Sequence, residues 1–533
     1  MQENTSQKVM RVVETFRQKR SEDLRWQTSD EEKIKVHETI SKAAYIYEKI
    51  RNAIDYQEEH LIRKNAIRRM LRRRITLKER GLNVAEPLIL ELIRARYLPN
   101  NFIPESRILG IKEKIDKYVS LIDFINAHQP TDRRNKLMKW VISIAACEIE
   151  EYLVPLVRED AMVECMYKIV RPDIDLVKGI ADERDKNIQV YLAIHRVLIK
   201  SDVDILGYHL FNFYVPKWKE ATPELIQKVA ENINKLEDRV EKQIHHKLAD
   251  SIYIYLKKFS PLFVILQEVV SENLERAEEI LSNPEKLETE IRKSCQKRYY
   301  QASVKLSRGV IRSIIYIFFT KTILAFLLEL PYERVFLHHI KLLPLGINII
   351  FHPILMAVIA TSIRVPAERN TQRIIQGIKE IVYDLPEREI LKKRKQITKR
   401  NTFTKILFTF IYTLTFLITF GLIIWGLRTL EFSIVSGFLF MFFLSVISFF
   451  GLRLRYGATE LVVIGKRENI FTLIIDFFTL PIIRVGHWIA SKTSQVNIFL
   501  FILDFIIEAP FKVVTETIED WVSFQKERKE EIY

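Results

Sequence analysis

The chain has 533 residues and a formal net charge of +15, from 82 Lys and Arg against 67 Asp and Glu, and it contains only 14 glycines and three cysteines. So few glycines argue against Gly-rich phosphate loops, propellers and sheet-rich folds, and Cys147, Cys165 and Cys295, far apart and without a CxxC, argue against a disulfide framework or zinc module. Two halves differ sharply: residues 1 to about 303 are polar and helically patterned, and the long apolar runs lie beyond about 310.

Residues 1–27 read as a polar N-terminal tail. Lys8, Arg11, Arg17, Lys19 and Arg20 are followed by no apolar core of roughly 7–15 residues, so no signal peptide is predicted and the polar half is expected on the cytoplasmic side. Residues 28–303 read as a cytoplasmic α-helical domain. Ser29 and Glu32 have capping-box spacing, and Ile34, Ile40, Ala44, Ile50 and Ile54 follow at helical intervals. Segments at 84–98, 107–127, 131–157 and 174–200 are punctuated by Pro99, Pro104, Pro130 and Pro172, which predicts a compact bundle rather than one long coiled coil. Leu225, Val229, Ile233, Leu236 and Val240 fit a bundle helix as well, since only about three heptads are present. The aromatic group Tyr208, Phe211, Phe213, Tyr214 and Trp218 is expected to be a core cluster in preference to a docking groove.

The most basic stretch, Arg63 to Arg80, includes Arg63, Lys64, Arg68, Arg69, Arg72, Arg73 and Arg74, yet keeps an apolar face of Ile62, Ile67, Met70, Leu71 and Ile75. Two expectations stand side by side. Either the cations pair with acids such as Glu58, Glu59 and Glu79 on a solvated face, or they meet an anionic surface, where each Lys or Arg near charged headgroups contributes about 1 kcal/mol. Lipid is favoured over nucleic acid, because nothing here resembles a zinc finger or an RRM.

Beyond residue 303 the pattern is that of a membrane protein. Ile406–Leu427 and Phe432–Leu452 are uncharged apolar runs of 22 and 21 residues joined by Arg428, Thr429, Leu430 and Glu431. At about 1.5 Å rise per residue each matches a hydrocarbon core of roughly 30 Å, and so short a joint allows only an antiparallel transmembrane hairpin, residues 406–452. A first helix pair is placed within 304–363, at about 310–330 and 342–363. The loop 364–405 between the pairs holds 12 basic residues against five acidic ones, so the positive-inside rule makes it cytoplasmic; four spans then put both termini there. In 453–533, the apolar stretches Ile470–Ile489 and Val496–Phe511 are interrupted by Asp476, Pro481 and Arg484, and by Asp504 and Glu508. They are expected to be amphipathic interfacial helices followed by a charged tail, because each charge near the bilayer centre costs about 2.5–3.5 kcal/mol.

The expected fold class is therefore all-α: a polytopic helical membrane protein of the plasma (inner) membrane with a large N-terminal cytoplasmic helical-bundle domain. Ionisable residues at membrane depth are a functional hypothesis by default. Lys321 and His352 fall near the middle of the antiparallel first pair, within reach of each other, and Glu329 joins them as a candidate polar path for an ion or proton. The alternative is a shallow hairpin with Lys321 reaching to the headgroups. His245–His246 and His338–His339 do not converge on one metal, so no metal and no cofactor is expected. No serine elbow, HExxH, Walker lysine or Rossmann pattern is present, and Glu148, Glu150 and Glu151 read as a solvated face, so an enzyme has no residue-level support. Because the polar half is the longer one, the favoured function is a membrane-anchored scaffold or docking protein that binds membrane lipids, anionic headgroups included, and a cytosolic protein partner. The alternative is a transporter or channel using Lys321, Glu329 and His352.

Overall fold

A computed structural model describes residues 5–28, 30–36, 45, 48, 58–76, 81–174, 182–338, 340–363, 366, 368–385, 389–391, 402–463, 470–495 and 521. Among these the protein is all-α, with no strand beyond an isolated bridge between Lys33 and Pro104. Most of the segment 1–27 expected as a polar tail belongs to helix α1 (Gln7–Thr28). Its basic residues conceal an apolar stripe of Val9, Val12, Val13 and Phe16, spaced one helical turn apart and fully buried. The helix expected from Ser29 falls mostly outside the described residues; residues 30–36 are not helical, and Ile34 N–H donates to the Ile103 carbonyl at 2.9 Å.

Two compact units divide the chain, Ser6–Lys257 and Lys258–Asn497. The break precedes the polarity change near 303, because residues 260–303 pack with the apolar half: Leu262 closes over Gly377, leaving no room there for a Cβ.

The N-terminal unit continues with α2 (Glu59–Thr76), α3 (Leu82–Arg94), α4 (Ser106–His128), α5 (Thr131–Leu153), α6 (Val157–Val170), α7 (Glu183–Leu198), α8 (Val203–Tyr214), α9 (Pro223–Glu231), α10 (Ile233–Ile244) and α11 (Ala249–Lys257). Asp182, Asp202 and Thr222 cap α7, α8 and α9 by accepting the N–H groups of Asp185, Ile205 and Leu225. Asn232 separates α9 from α10, which divides the near-heptad pattern between two short bundle helices. Helix α5 is the axis, packed by α2, α4 and α8, and every residue from Val141 to Glu150 is buried. A helix covered on all sides must find partners for its acids. Glu148 and Glu150, expected on a solvated face, are instead buried and paired: Glu148 takes Lys117 at 2.7 Å and the Tyr118 hydroxyl, and Glu150 takes Arg63 at 2.8 Å. Tyr208, Phe211 and Trp218 belong to the core, while Phe213 is half exposed.

The C-terminal unit comprises α12 (Ser260–Glu272), α13 (Ala277–Ser282), α14 (Pro284–Leu324), α15 (Leu342–Ser362), α16 (Glu368–Val382), α17 (Thr402–Thr429), α18 (Ile434–Ala458) and α19 (Ile470–Gln495). Helix α14 is prolonged to Leu337 through wider π-helical turns at Ala325–Glu329 and Glu333–Leu337. Among the described residues five helices are long and apolar enough to cross a membrane: Pro284–Leu337, Leu342–Ser362, Ile406–Thr429, Ile434–Ala458 and Ile474–Lys492. Their large apolar side chains face outward, Ile434 at 84% and Phe410 at 66% exposure, the reverse of a water-soluble bundle. Four spans were expected from the sequence. The fifth is α19, which packs along α17 and α18 rather than standing apart from them; Val496–Phe511 lies outside the described residues.

Candidate functional site

Within the C-terminal unit three helices bring together a group of buried polar side chains. Helix α14 supplies Lys321, its first π-helical turn supplies Glu329, α15 supplies Asn348 and His352 one turn apart, and the first turn of α18 supplies Ser436. Pro331 accounts for the irregular backbone: it lacks an N–H and its ring crowds the carbonyl four residues back, and wider turns on either side absorb the mismatch. These five side chains are 0–1% exposed.

Asn348 is the hub. Its Oδ1 accepts from the Lys321 ammonium, while its Nδ2 donates to Glu329 Oε1 and lies 3.2 Å from Ser436 Oγ. Ser436 Oγ in turn donates to Glu329 Oε2 at 3.1 Å. One ammonium and one carboxylate thus neutralise each other through a shared carboxamide, and Lys321 Nζ also lies 4.5 Å from the centre of the Phe443 ring. Lys321 and His352, within reach of each other by sequence position, do not bond directly. The His352 ring instead lies between two backbone carbonyls, Nδ1 at 3.2 Å from that of Asn348 and Nε2 at 3.1 Å from that of Phe440. Only a doubly protonated ring would donate to both; a neutral ring serves one. Glu333, one turn beyond Glu329, is buried as well and accepts the Lys341 N–H at 3.0 Å.

The basic candidates lie on α2 in the N-terminal unit, turned toward carboxylates of other segments. Arg63 meets Glu150; Lys64, fully buried, is held by Asp202 and, at 2.9 Å, by Asp204; Arg68 reaches Asp204 at 2.6 Å. Arg69 binds Glu48 at 3.0 Å, and Arg73 and Arg74 share Glu91 at 2.6 and 2.8 Å. Arg72 is exposed. Burial pushes the Glu150 carboxyl up to about 7 against the opposing pull of Arg63. For Asp204, burial is outweighed by Lys64 and Arg68, which leave its carboxyl below its ordinary range.

No known protein family, curated protein or solved structure matches this chain.

Among the described residues, no three His, Cys, Asp or Glu side chains converge as a metal set. The three cysteines are buried thiols; burial pushes Cys165 up to about 12 and Cys147 well above its ordinary value, which makes poor nucleophiles of both. Sequence reasoning named Lys321, Glu329 and His352 but missed the part played by Asn348 and Ser436. For Asn348 a signal was present, since it precedes His352 by four residues and shares its helix face. For Ser436 none was, because a serine in the first turn of a helix ordinarily reads as part of a cap.

Proposed function

We propose that this chain is a multi-pass membrane protein whose C-terminal unit is an anchor and whose N-terminal helical unit, on the cytoplasmic side, docks a cytosolic protein partner. The observation that carries this reading is the closure of the polar cluster. Lys321, Asn348, Glu329 and Ser436 bond to one another, so the ionisable groups at membrane depth work as a lock between α14, α15 and α18. Anionic headgroups are assigned to Arg308, Arg312, Arg453 and Arg455. These flank the apolar parts of α14 and α18, where Gly309 approaches Leu454, and none forms an ion pair with a described residue. The arginines and lysine of α2 contribute to this surface only as far as their internal carboxylates release them.

With α19 crossing as a fifth span, Gln495 emerges opposite the basic loop 364–405. Topology reporters fused after Lys395 and after Gln495 read this directly, and reporters on the same side would return α19 to the membrane surface. A second reading, transport, draws on the π-helical turns beside Glu329, a backbone irregularity often found at functional sites. Reconstituted liposomes decide between the two. Proton or solute flux by the wild type that disappears in Lys321→Leu would overturn the anchor reading.

A further inference from the structure

In the N-terminal unit a cavity of about 270 Å³ opens between α4 and α5, walled by Arg107 and Lys114 from α4, Glu148, Glu151 and Tyr152 from α5, and Lys219. Arg107 is unusual among its neighbours. Its guanidinium makes no hydrogen bond or ion pair with a described residue, yet is fixed in place, lying 4.1 Å over the ring of Trp26 and 4.5 Å over that of Tyr152. Cation–π contacts hold a guanidinium by its flat face and leave its N–H edge available.

The tyrosine ring is seated in turn by Gly110. A Cβ at that position would come within 2.1 Å of the Tyr152 hydroxyl, so this helical turn of α4 carries a glycine at a cost of about 1 kcal/mol relative to alanine. The remaining cations are oriented by acids: Lys219 lies 2.8 Å from Glu151, Lys117 2.7 Å and Lys114 3.6 Å from Glu148. Arg107, Lys114 and Lys219 therefore set three positive charges in the wall against the carboxylates of Glu148 and Glu151, with Lys117 buried behind Glu148. Burial pushes the neighbouring Asp160 carboxyl up to about 7, so it subtracts little below neutral pH.

We infer that this cavity is an oxyanion site that takes a phosphate monoester, with the Arg107 fork as its bidentate donor and Lys114 and Lys219 as flanking charges. The net positive wall attracts an anion, and a phosphate monoester, with roughly −1.5 to −2 at neutral pH and several acceptor oxygens, suits both the charge and the fork. The volume falls just under the range of about 300–1,000 Å³ usual for small-molecule sites, which suits a phosphate on a small carrier and not a dinucleotide. A soluble phosphate ester and a phosphomonoester lipid headgroup present the same chemistry.

The test is equilibrium binding of inorganic phosphate to the full-length protein in detergent, with Trp26 fluorescence as a local reporter and Trp26→Phe as its control. The wild type is expected to bind saturably in the millimolar range or tighter, more weakly as salt rises. Arg107→Gln is expected to bind at least roughly tenfold more weakly, the loss of one charge-assisted bidentate contact. Arg107→Lys, which keeps the charge but not the fork, should fall between, and Lys228→Gln, an exposed lysine away from the cavity, should match wild type. If Arg107→Gln fails to fold, Lys219→Gln carries the test, since that side chain is 56% exposed. In phosphatidylcholine nanodiscs, added phosphatidic acid that displaces phosphate identifies a lipid headgroup as occupant, and undisturbed phosphate binding identifies a soluble ester. No saturable binding by the wild type, or binding unchanged in a folded Arg107→Gln or Lys219→Gln protein, overturns the assignment.

Discussion

A Cβ placed on Gly486 would lie 1.9 Å from the carbonyl oxygen of Ser445, so α19 and α18 meet there backbone to backbone. Close approach at a glycine is how helices associate where apolar surroundings give no hydrophobic drive. The contact falls near the middle of both helices, and the Thr419 hydroxyl, 3.4 Å from the Phe478 carbonyl, ties α17 to the same helix. Gly486→Val is therefore expected to force α19 off α18. Overpacking of this kind costs about 1–3 kcal/mol, read as a lower melting temperature in detergent. Gly346, whose added Cβ meets nothing within 4 Å, is the control, and Gly346→Ala should melt like wild type. Equal melting temperatures for Gly486→Val and wild type would refute the close packing of α19.

The Asn348 hub makes a sharper prediction, because it separates a lock from a path. Asn348→Leu strands the Lys321 ammonium and the Glu329 carboxylate without their bridge, and breaking a buried ionic set typically costs about 3–5 kcal/mol. Replacing the whole set with apolar side chains of similar size, Lys321→Met, Glu329→Leu and Asn348→Leu together, should recover most of that loss. Thermal melts of the single and triple variants check this. A triple variant as unstable as the single one would mean that the cluster does more than hold three helices in register.

Helix α2 offers a comparable contrast. Lys64→Met leaves Asp202 and Asp204 facing a buried methionine, and is expected to destabilise the N-terminal unit by about 3–5 kcal/mol. Arg72→Glu, on an exposed side chain, should destabilise the unit less than Lys64→Met does. If α2 also meets anionic lipid, Arg72→Glu should weaken association with phosphatidylserine vesicles, more at low salt than at high. Urea unfolding together with vesicle flotation reads both effects.

These contrasts show which features a linear reading can reach. The spans Ile406–Leu427 and Phe432–Leu452 announce themselves by length and lack of charge, and they correspond to the apolar parts of α17 and α18. Charge on α2 is equally visible, but its direction is not: Glu150 is 87 residues from Arg63, and Asp202 and Asp204 are 138 and 140 from Lys64. Helix α1 was hidden for the opposite reason, since frequent Lys and Arg masked a four-residue stripe. Asp476 and Arg484 make α19 read as a surface helix, and its packing along α17 and α18 is not visible in the sequence. Gly486, the residue that seats it against α18, gives no sign of its role until a second backbone is beside it.

Acidity should expose two opposed sets of buried groups in the N-terminal unit. Burial holds His209 down to about 4, and burial followed by the His209 ring, 4.2 Å away, holds His195 well below its ordinary 6.5. Between about pH 4 and 6.5 the unfolded chain binds protons on these rings that the folded chain refuses. Their contribution is complete above 6.5 and is lost as pH falls toward 4. Asp160 and Glu150 run the other way. Burial, aided at Asp160 by Glu151 and Glu159, lifts both carboxyls to about 7, so the folded chain keeps protons that the unfolded chain releases from about pH 4 upward, and stability falls as pH rises toward 7. Each group contributes at most about 1.4 kcal/mol per pH unit, and the two sets largely cancel. Asp160→Asn removes one member of the acid set. Its stability should therefore rise relative to wild type as pH increases from about 4.5 to 6.5, whereas His209→Phe should tilt the balance the other way. Urea midpoints across that window test both signs, and parallel profiles for wild type and Asp160→Asn would show that Asp160 does not keep its proton in the folded protein.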